Sequence, residues 1–161
     1  MKTALSPEAT LALSRLQKSC MRREMCRWDA DRKMIGWELP VAERRQVLEL
    51  LCRDRFIDEQ RYARAFARDK YRFSKWGKEK IRQGLKLRKI PPEDILCGLE
   101  EIPEDAEQKN LEILLQKKAG TLKAGTSLYD KKTKLIRYAL GRGFRSDQVL
   151  RSIRKMGLDE D

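Results

Sequence analysis

The segment Ile81–Leu99 reads IRQGLKLRKIPPEDILCGL, and the segment Ile136–Ile153 reads IRYALGRGFRSDQVLRSI. Ile81, Leu85, Ile90, Ile95, Leu96 and Leu99 of the first recur as Ile136, Leu140, Phe144, Val149, Leu150 and Ile153 of the second, with Phe144 one residue early. Arg82 and Arg137 follow the leading apolar position in both. The closing stripe returns a third time as Val47, Leu48 and Leu51, which sets offsets of 48 and 54 residues between copies. Apolar spacings of three and four are those of a helix with one buried face, and almost no stretch alternates as a half-buried strand does. About fifty residues hold three short helices. The pattern predicts an all-α chain of tandem three-helix repeats forming a short curved, elongated solenoid. An N-terminal helix with the first repeat covers residues 1–55, the second repeat 56–102 and the third 103–161. Each unit is too small to stand alone and leans on its neighbour.

Working outward, prolines, glycines and acids mark the helix borders. Ser6-Pro7-Glu8 combines an N-cap, a proline at the first position and an acid in the first turn, opening a helix with Leu11 and Leu16 inward. A second helix is expected from about Arg22 to Ile35, stopped by Gly36, and Pro40 opens a third. Asp58 caps a fourth reaching about Phe73, with Tyr62, Ala65, Phe66 and Phe73 on its apolar side. A fifth follows Trp76-Gly77, Pro91-Pro92-Glu93-Asp94 starts a sixth, and a seventh runs from near Pro103 to near Gly120. Residues 121–127 form a loop by composition. An eighth helix spans roughly Leu128 to Arg142 with Gly143 as its stop, and a ninth spans Ser146 to Met156.

Composition narrows function. With 161 residues the chain is one domain or a few small repeats. Histidine is absent, which removes His-containing triads and His-bearing zinc and iron sites. Cys20, Cys26, Cys52 and Cys97 contain no CxxC pair, so no metal is expected, and the start Met1–Glu8 lacks the apolar core of an export signal. Free buried thiols in a reducing cytoplasm are the expectation. No apolar run exceeds three residues, far below the ~20 of a membrane span. There is no glycine-rich phosphate loop, nucleophile elbow or HExxH. The acids Glu100, Glu101, Glu104, Asp105 and Glu107 sit where a following helix start favours them. No catalytic residue, metal or cofactor is assigned, and the chain is not read as an enzyme.

The net charge of +12 is striped. Residues 1–52 carry +3, 53–90 carry +9, 91–116 carry −7, 117–156 carry +10 and the tail 157–161 carries −3. Two basic blocks thus fall in the second and third repeats, and a polyanionic or acidic partner follows. The candidate contact residues are Arg61, Arg64, Arg68, Arg72, Lys75, Lys78, Lys80 and Arg82 in the first block, and Lys131, Lys132, Lys134, Arg137 and Arg142 in the second. For any one of Arg61, Arg64 and Arg68 a solvated helix face is the plainer reading, but the stripe as a group exceeds its local acids. Trp28, Trp37 and Trp76 are read as packing residues rather than stacking platforms. Lys131 to Arg154 has helix-turn-helix order without a distinctive set of base-reading side chains.

The segments Cys20-Met21-Arg22-Arg23-Glu24-Met25-Cys26, Phe56-Ile57-Asp58-Glu59-Gln60-Arg61-Tyr62-Ala63-Arg64-Ala65-Phe66, Lys75-Trp76-Gly77-Lys78-Glu79-Lys80-Ile81 and Arg142-Gly143-Phe144 together resemble the RecX family of bacterial recombinase regulators. They cover most of the chain in the family's order. Where the family usually has Ser after the first Cys, as cap of the arginine-bearing helix, this chain has Met21, which cannot cap. The resemblance implies a cytoplasmic modulator of the RecA recombinase that lodges in the groove of the RecA filament on single-stranded DNA and inhibits strand exchange and ATP hydrolysis. Such a protein acts in DNA repair and the SOS response, as a monomer, with no membrane and no cofactor. The alternative from another class is a sequence-nonspecific DNA-binding protein coating phosphates through its basic face.

Overall fold

Nine α-helices and no strand make up residues 4–158, the part of the chain that the computed structural model describes. Met1, Lys2, Thr3 and the acidic Asp159, Glu160 and Asp161 lie outside the described residues. The local start signals take effect where the sequence places them. Ser6 Oγ accepts the Ala9 N–H at 3.0 Å and begins α1 (Pro7–Arg22). Asp58 Oδ1 accepts the Arg61 N–H at 2.9 Å and begins α4 (Glu59–Phe73). Ser127 Oγ accepts the Asp130 N–H at 3.2 Å and begins α8 (Leu128–Gly141). The prolines stand just before or at the first residue of α3 (Val41–Arg53), α6 (Pro92–Leu99) and α7 (Glu104–Thr121). The set is completed by α2 (Arg27–Gly36), α5 (Lys78–Leu87) and α9 (Ser146–Lys155).

One border moves. α1 runs on to Arg22 and α2 begins only at Arg27, because no proline or glycine interrupts residues 8–35 and the break is made by a side chain instead. Cys26 Sγ accepts the Asp29 N–H at 3.4 Å. Met21 therefore lies inside α1, and the residue that caps the second helix is Cys26. Its thiol is buried, and that burial pushes its pKa up to about 12. Cys20, Cys52 and Cys97 depart from expectation and are only half-buried.

The helices bury three separate clusters among the described residues. Ala9, Leu16, Ala30, Met34, Val47 and Leu51 anchor the first, under α1–α3. Ala63, Phe66, Ile81, Leu85, Ile95 and Leu99 anchor the second, under α4–α6. Leu111, Leu115, Leu135, Ala139, Val149 and Ile153 anchor the third, under α7–α9. The extensive helix contacts all lie within a trio: α1 and α2 on α3, then α4, α5 and α6 on one another, then α7, α8 and α9. The chain exposes 10612 Å², whereas a compact monomer of its 18.9 kDa exposes about 8,300 Å². Three small cores in a row leave more surface than one shared core, so the molecule is extended.

The buried set corrects the register of the repeat. Ile81, Leu85, Ile90, Ile95 and Leu99 correspond to Leu135, Ala139, Phe144, Val149 and Ile153, every one 54 residues on and every one buried. Ile136 is only half-buried and Leu140 is exposed, so the sequence match was slipped by one residue in α8. The early Phe144 was the trace of that slip, and the pairing of Arg82 with Arg137 goes with it. The first unit obeys the same rule: Ala30, Met34 and Leu39 stand 51 residues before Ile81, Leu85 and Ile90. In all three units the last of these apolar residues donates its N–H back across the turn, Leu39 to Met34 at 3.0 Å, Ile90 to Leu85 at 3.2 Å and Phe144 to Ala139 at 3.3 Å. The residue just before it is left-handed each time, Glu38 (φ 60°), Lys89 (φ 57°) and Gly143 (φ 94°).

Two smaller expectations also change. Phe73 is 80% exposed at the last residue of α4, beyond the second cluster, and the buried alanines of that helix are Ala63 and Ala67 rather than Ala65. Leu11 is exposed, its place in the core taken by Ala9 and Ala12.

Truncating the residues of α8 tests the corrected register. Leu135→Ala should lower unfolding free energy by about 2–5 kcal/mol and Ile136→Ala by about 1 or less, measured by urea denaturation. Equal losses would return the register to Ile136.

Candidate binding surface

Two of the motifs quoted above, 66 residues apart, meet in space. The Gly77 N–H donates to the carbonyl of Arg142 at 2.8 Å, and the Glu79 N–H donates to the carbonyl of Gly143 at 3.1 Å. A Cβ at Gly77 would overlap the Gly143 carbonyl, and a Cβ at Gly143 would overlap the backbone and Cβ of Lys80. Neither position has room for a side chain, and Gly143 is also left-handed. Between these two bonds the Lys78 N–H donates to Oε2 of Glu107 at 2.8 Å. Gly77 offers no side-chain cap to α5, so three N–H groups at its start are satisfied by the third unit.

The junction of the first and second units repeats the device. Arg27, 51 residues before Lys78, donates its N–H to Oε1 of Glu59 at 2.8 Å. Glu59 opens α4 just as the acids Glu104–Glu107 open α7. Burial pushes the Glu59 carboxyl above the ordinary carboxylate range, while the Arg27 amide and charge pull the other way. Trp28 and Cys26 from the first unit pack against the second cluster. In the third unit the start of α8 is capped within its own sequence, by Ser127.

The candidate contact residues divide into engaged and unengaged groups. At about 100° per residue Arg61, Arg64, Arg68 and Arg72 share one side of α4, within about 80° of arc and opposite its buried face. Arg61 is engaged: its Nε bonds Glu24 at 2.8 Å, and its Nη2 donates to the carbonyls of Arg55 and Phe56 at 3.1 and 3.3 Å. Arg64 lies 3.7 Å from Glu101, with its Nε buried and making no hydrogen bond among the described residues. Arg68 is exposed, and Arg72 Nε donates to the Tyr71 hydroxyl at 3.3 Å. Lys75 is left-handed, with φ 53°, at the turn into α5. Arg82 pairs with Glu79 at 2.6 Å.

The glycine joint brings Lys78 and Lys80 beside Arg142. Lys80 Nζ stands 4.5 Å and Lys70 Nζ 4.7 Å from the centroid of the Trp76 ring. Trp76 itself packs edge-on against Phe66 in the second cluster, so its ring is a packing element, as expected. Arg142 lies against Tyr138, its Nη2 3.4 Å from the hydroxyl. Further along α8, Lys134 and Arg137 are exposed, while Lys131 and Lys132 are half-buried flanking the core side. Trp37 departs from expectation: it is 38% exposed outside the first cluster, with Arg15 stacked 5.4 Å from its centroid.

Sequence reasoning passed over the cations of the first unit. Arg22, Arg23, Arg32 and Lys33 line a cleft shared with Lys70 and Arg88 of the second unit, with a volume of about 750 Å³. Its traces in the sequence are the Arg22-Arg23 pair and the spacing of Trp28 and Arg32, which places a guanidinium over the indole at 4.6 Å. The acid group expected to serve helix starts does so, and reaches further: Glu107 is only 8% exposed and faces α5, and Glu101 faces Arg64. Among the described residues no three acid or cysteine side chains converge as ligands of one metal ion. No helix there is long and apolar enough to cross a membrane.

Comparison with known proteins is consistent across sequence and structure. Residues 58–97 match the model of the RecX second three-helix domain, and residues 105–153 match that of the RecX third three-helix domain. The crystal structure of RecX from Lactobacillus salivarius has a TM-score of 0.78, covering 96% of this chain and 100% of that one at 17% identity. The crystal structure of a regulatory protein RecX has a TM-score of 0.81, covering 92% of this chain and 72% of that one at 20% identity. At these identities the likeness is one of fold. No curated protein sequence matches the chain.

Removing the joint's acceptor has a defined cost. Glu107→Ala leaves the Lys78 N–H without its partner and should lower stability by about 1–3 kcal/mol in chemical denaturation, while Glu107→Gln, which keeps an acceptor oxygen, should lose less. Gly143→Ala adds both steric overlap and left-handed strain, and a loss of about 2 kcal/mol or more is expected.

Proposed function

The chain belongs to the RecX family, and from that premise we propose that it binds the RecA recombinase, in its filament on single-stranded DNA, and inhibits recombinase and ATPase activity in DNA repair and the SOS response. RecX proteins are a regulatory family. The observation that carries the proposal is the match of two consecutive RecX three-helix domains to the two units that hold the basic blocks.

In this reading the protein is a cytoplasmic monomer whose units, with borders near 55/56 and 102/103, lie along the filament groove. The contacts come from Arg68, Arg72, Lys75, Lys78, Lys80 and Arg82 of the second unit and Lys131, Lys132, Lys134, Arg137 and Arg142 of the third. Arg61 and Arg64 are held first by Glu24 and Glu101 and so position the stripe before they contact anything. No bond is made or broken by the protein. A binder that prefers one filament geometry shifts the filament's equilibrium toward it by its difference in affinity for the two forms, and ATP hydrolysis follows the population.

The test is RecA-catalysed ATP hydrolysis on single-stranded DNA with increasing amounts of the protein. A fall at amounts well below those that coat the free DNA is expected. A fall only on coating would favour the simple DNA-binding alternative, and no effect at any ratio would mean an acidic protein partner of another kind. The charge contribution is tested by reversing Arg68, Lys80, Lys134 and Arg137 to Glu, which should weaken inhibition roughly tenfold or more and flatten its salt dependence with helical content unchanged. Arg61 is left out because its reversal would set a carboxylate against Glu24.

A further inference from the structure

The cleft between the first and second units lies apart from the α5–α8 joint and is walled by α1, α2, α4 and the end of α5. Its volume of about 750 Å³ falls in the range of sites that enclose a whole small ligand. Six cations line it against three acids, Glu24, Asp29 and Asp69. Two of those acids are already engaged, Glu24 with Arg61 at 2.8 Å and Asp29 near Arg88 at 3.9 Å. Arg22, Arg23 and Lys33 have no ion-pair partner among the described residues, so the cleft holds cations that no described acid pairs with. Arg88 adds a buried Nε without a hydrogen bond.

Beside the cations the lining carries Trp28, Tyr62 and Phe66. The Arg32 guanidinium lies 4.6 Å from the Trp28 centroid, and Arg88 lies 5.8 Å from Trp28 and 5.0 Å from Phe66. A guanidinium stacked on an indole extends the flat platform outward, and an unstacked base packs on such a plane. Uncompensated cations that track a backbone, beside planar groups that accept bases, form the recognition set for single-stranded nucleic acid. An acidic polypeptide would satisfy the cations and leave the planar groups unused, while a duplex keeps its bases stacked and away from them.

We infer that this cleft binds the backbone and unstacked bases of a single strand directly, with Arg22, Arg23 and Lys33 on phosphates and the Trp28–Arg32 stack against a base. The inference deepens the proposed function by giving the first unit, the least basic by count, a contact with the DNA itself. It does not require the recombinase.

The experiment uses the full chain and a labelled oligothymidylate of about 20 nucleotides, long enough for a site of this kind, with no recombinase present, followed by fluorescence anisotropy across a salt series. Arg22→Ala/Arg23→Ala/Lys33→Ala should weaken binding at least tenfold at low salt and flatten the log–log salt slope by about 2, at roughly 0.7 per lost phosphate contact. Circular dichroism should be unchanged, since none of these side chains makes a side-chain hydrogen bond or ion pair among the described residues. An equal loss in a control Lys131→Ala/Lys134→Ala/Arg137→Ala variant would reduce the effect to general charge and overturn the inference. So would displacement of the oligonucleotide by polyglutamate as readily as by unlabelled oligothymidylate. Photocrosslinking with 5-iodouracil gives a second readout that needs no substitution: adducts on peptides containing Trp28 or Arg32 support the site, and adducts confined to α8 refute it. Retained inhibition of RecA ATPase by the cleft variant, with oligonucleotide binding lost, would separate the two readings. Loss of inhibition by the parent protein would strike the filament reading and leave the cleft measurement standing.

Discussion

The start of α5 has N–H groups that its own sequence leaves without a cap, and everything about the array follows from where they go. A helix begins with four N–H groups that lack intrahelical partners, and burying one unpaired costs about 1–3 kcal/mol. Gly77 has no side chain to help. The third unit answers with the carbonyls of Arg142 and Gly143 and the carboxylate of Glu107. The helix dipole favours a carboxylate at that end, so the acceptor that fits best is one with a charge. Arg27 and Glu59 do the same one unit earlier. The units are therefore tied by polar contacts aimed at helix ends, with Cys26 and Trp28 of the first unit packed on the second core as well.

That arrangement explains why the two glycines cannot be exchanged for anything larger. The carbonyls of residues 142 and 143 reach the α5 start only if the backbone of the α8–α9 turn comes within van der Waals distance of residues 77 and 80. Gly143 does two things at once, since the same residue carries the left-handed conformation that returns Phe144 to the third core. In the first and second units the equivalent left-handed residues are Glu38 and Lys89, both exposed, where a side chain costs roughly 1–2 kcal/mol of local strain. Of these three equivalent positions, the glycine stands at the one that another backbone approaches.

Much of this was legible in the sequence because its causes are local. Ser6-Pro7-Glu8, Asp58, Pro40 and Pro91-Pro92 act on the next few residues, and the helices begin there. The α8 register was harder: Leu135-Ile136 and Ala139-Leu140 are both apolar doublets, and a spacing argument cannot choose between two equally greasy neighbours. Cys26 was overlooked as a cap because sulfur is a weak acceptor and cysteine is not among the usual capping residues. The joint was out of reach for a different reason. Glu107 reads as an ordinary first-turn acid of α7, and nothing in its neighbourhood says that its carboxylate turns to a helix 29 residues earlier. The cleft was missed because counting charge by segment ranks the first unit lowest, whereas what matters is which cations remain without acids once the units are assembled.

The same accounting changes what the net charge means. Glu24, Asp29, Glu59, Glu101 and Glu107 all face cations or N–H groups of the chain itself, and four of them do so across a junction. These five acids thus serve as internal fasteners, while Arg68, Lys134 and Arg137 remain outward and exposed. The field felt by an approaching anion is then more positive at the basic blocks than the whole-chain figure of +12 conveys. At physiological ionic strength exposed charges are screened over about 8 Å, so a distributed set of cations acts strongly only on a partner that comes close to many of them at once. An extended row of units meets that condition against a partner whose anionic surface runs alongside it for the same length, and not against a small or sharply curved one.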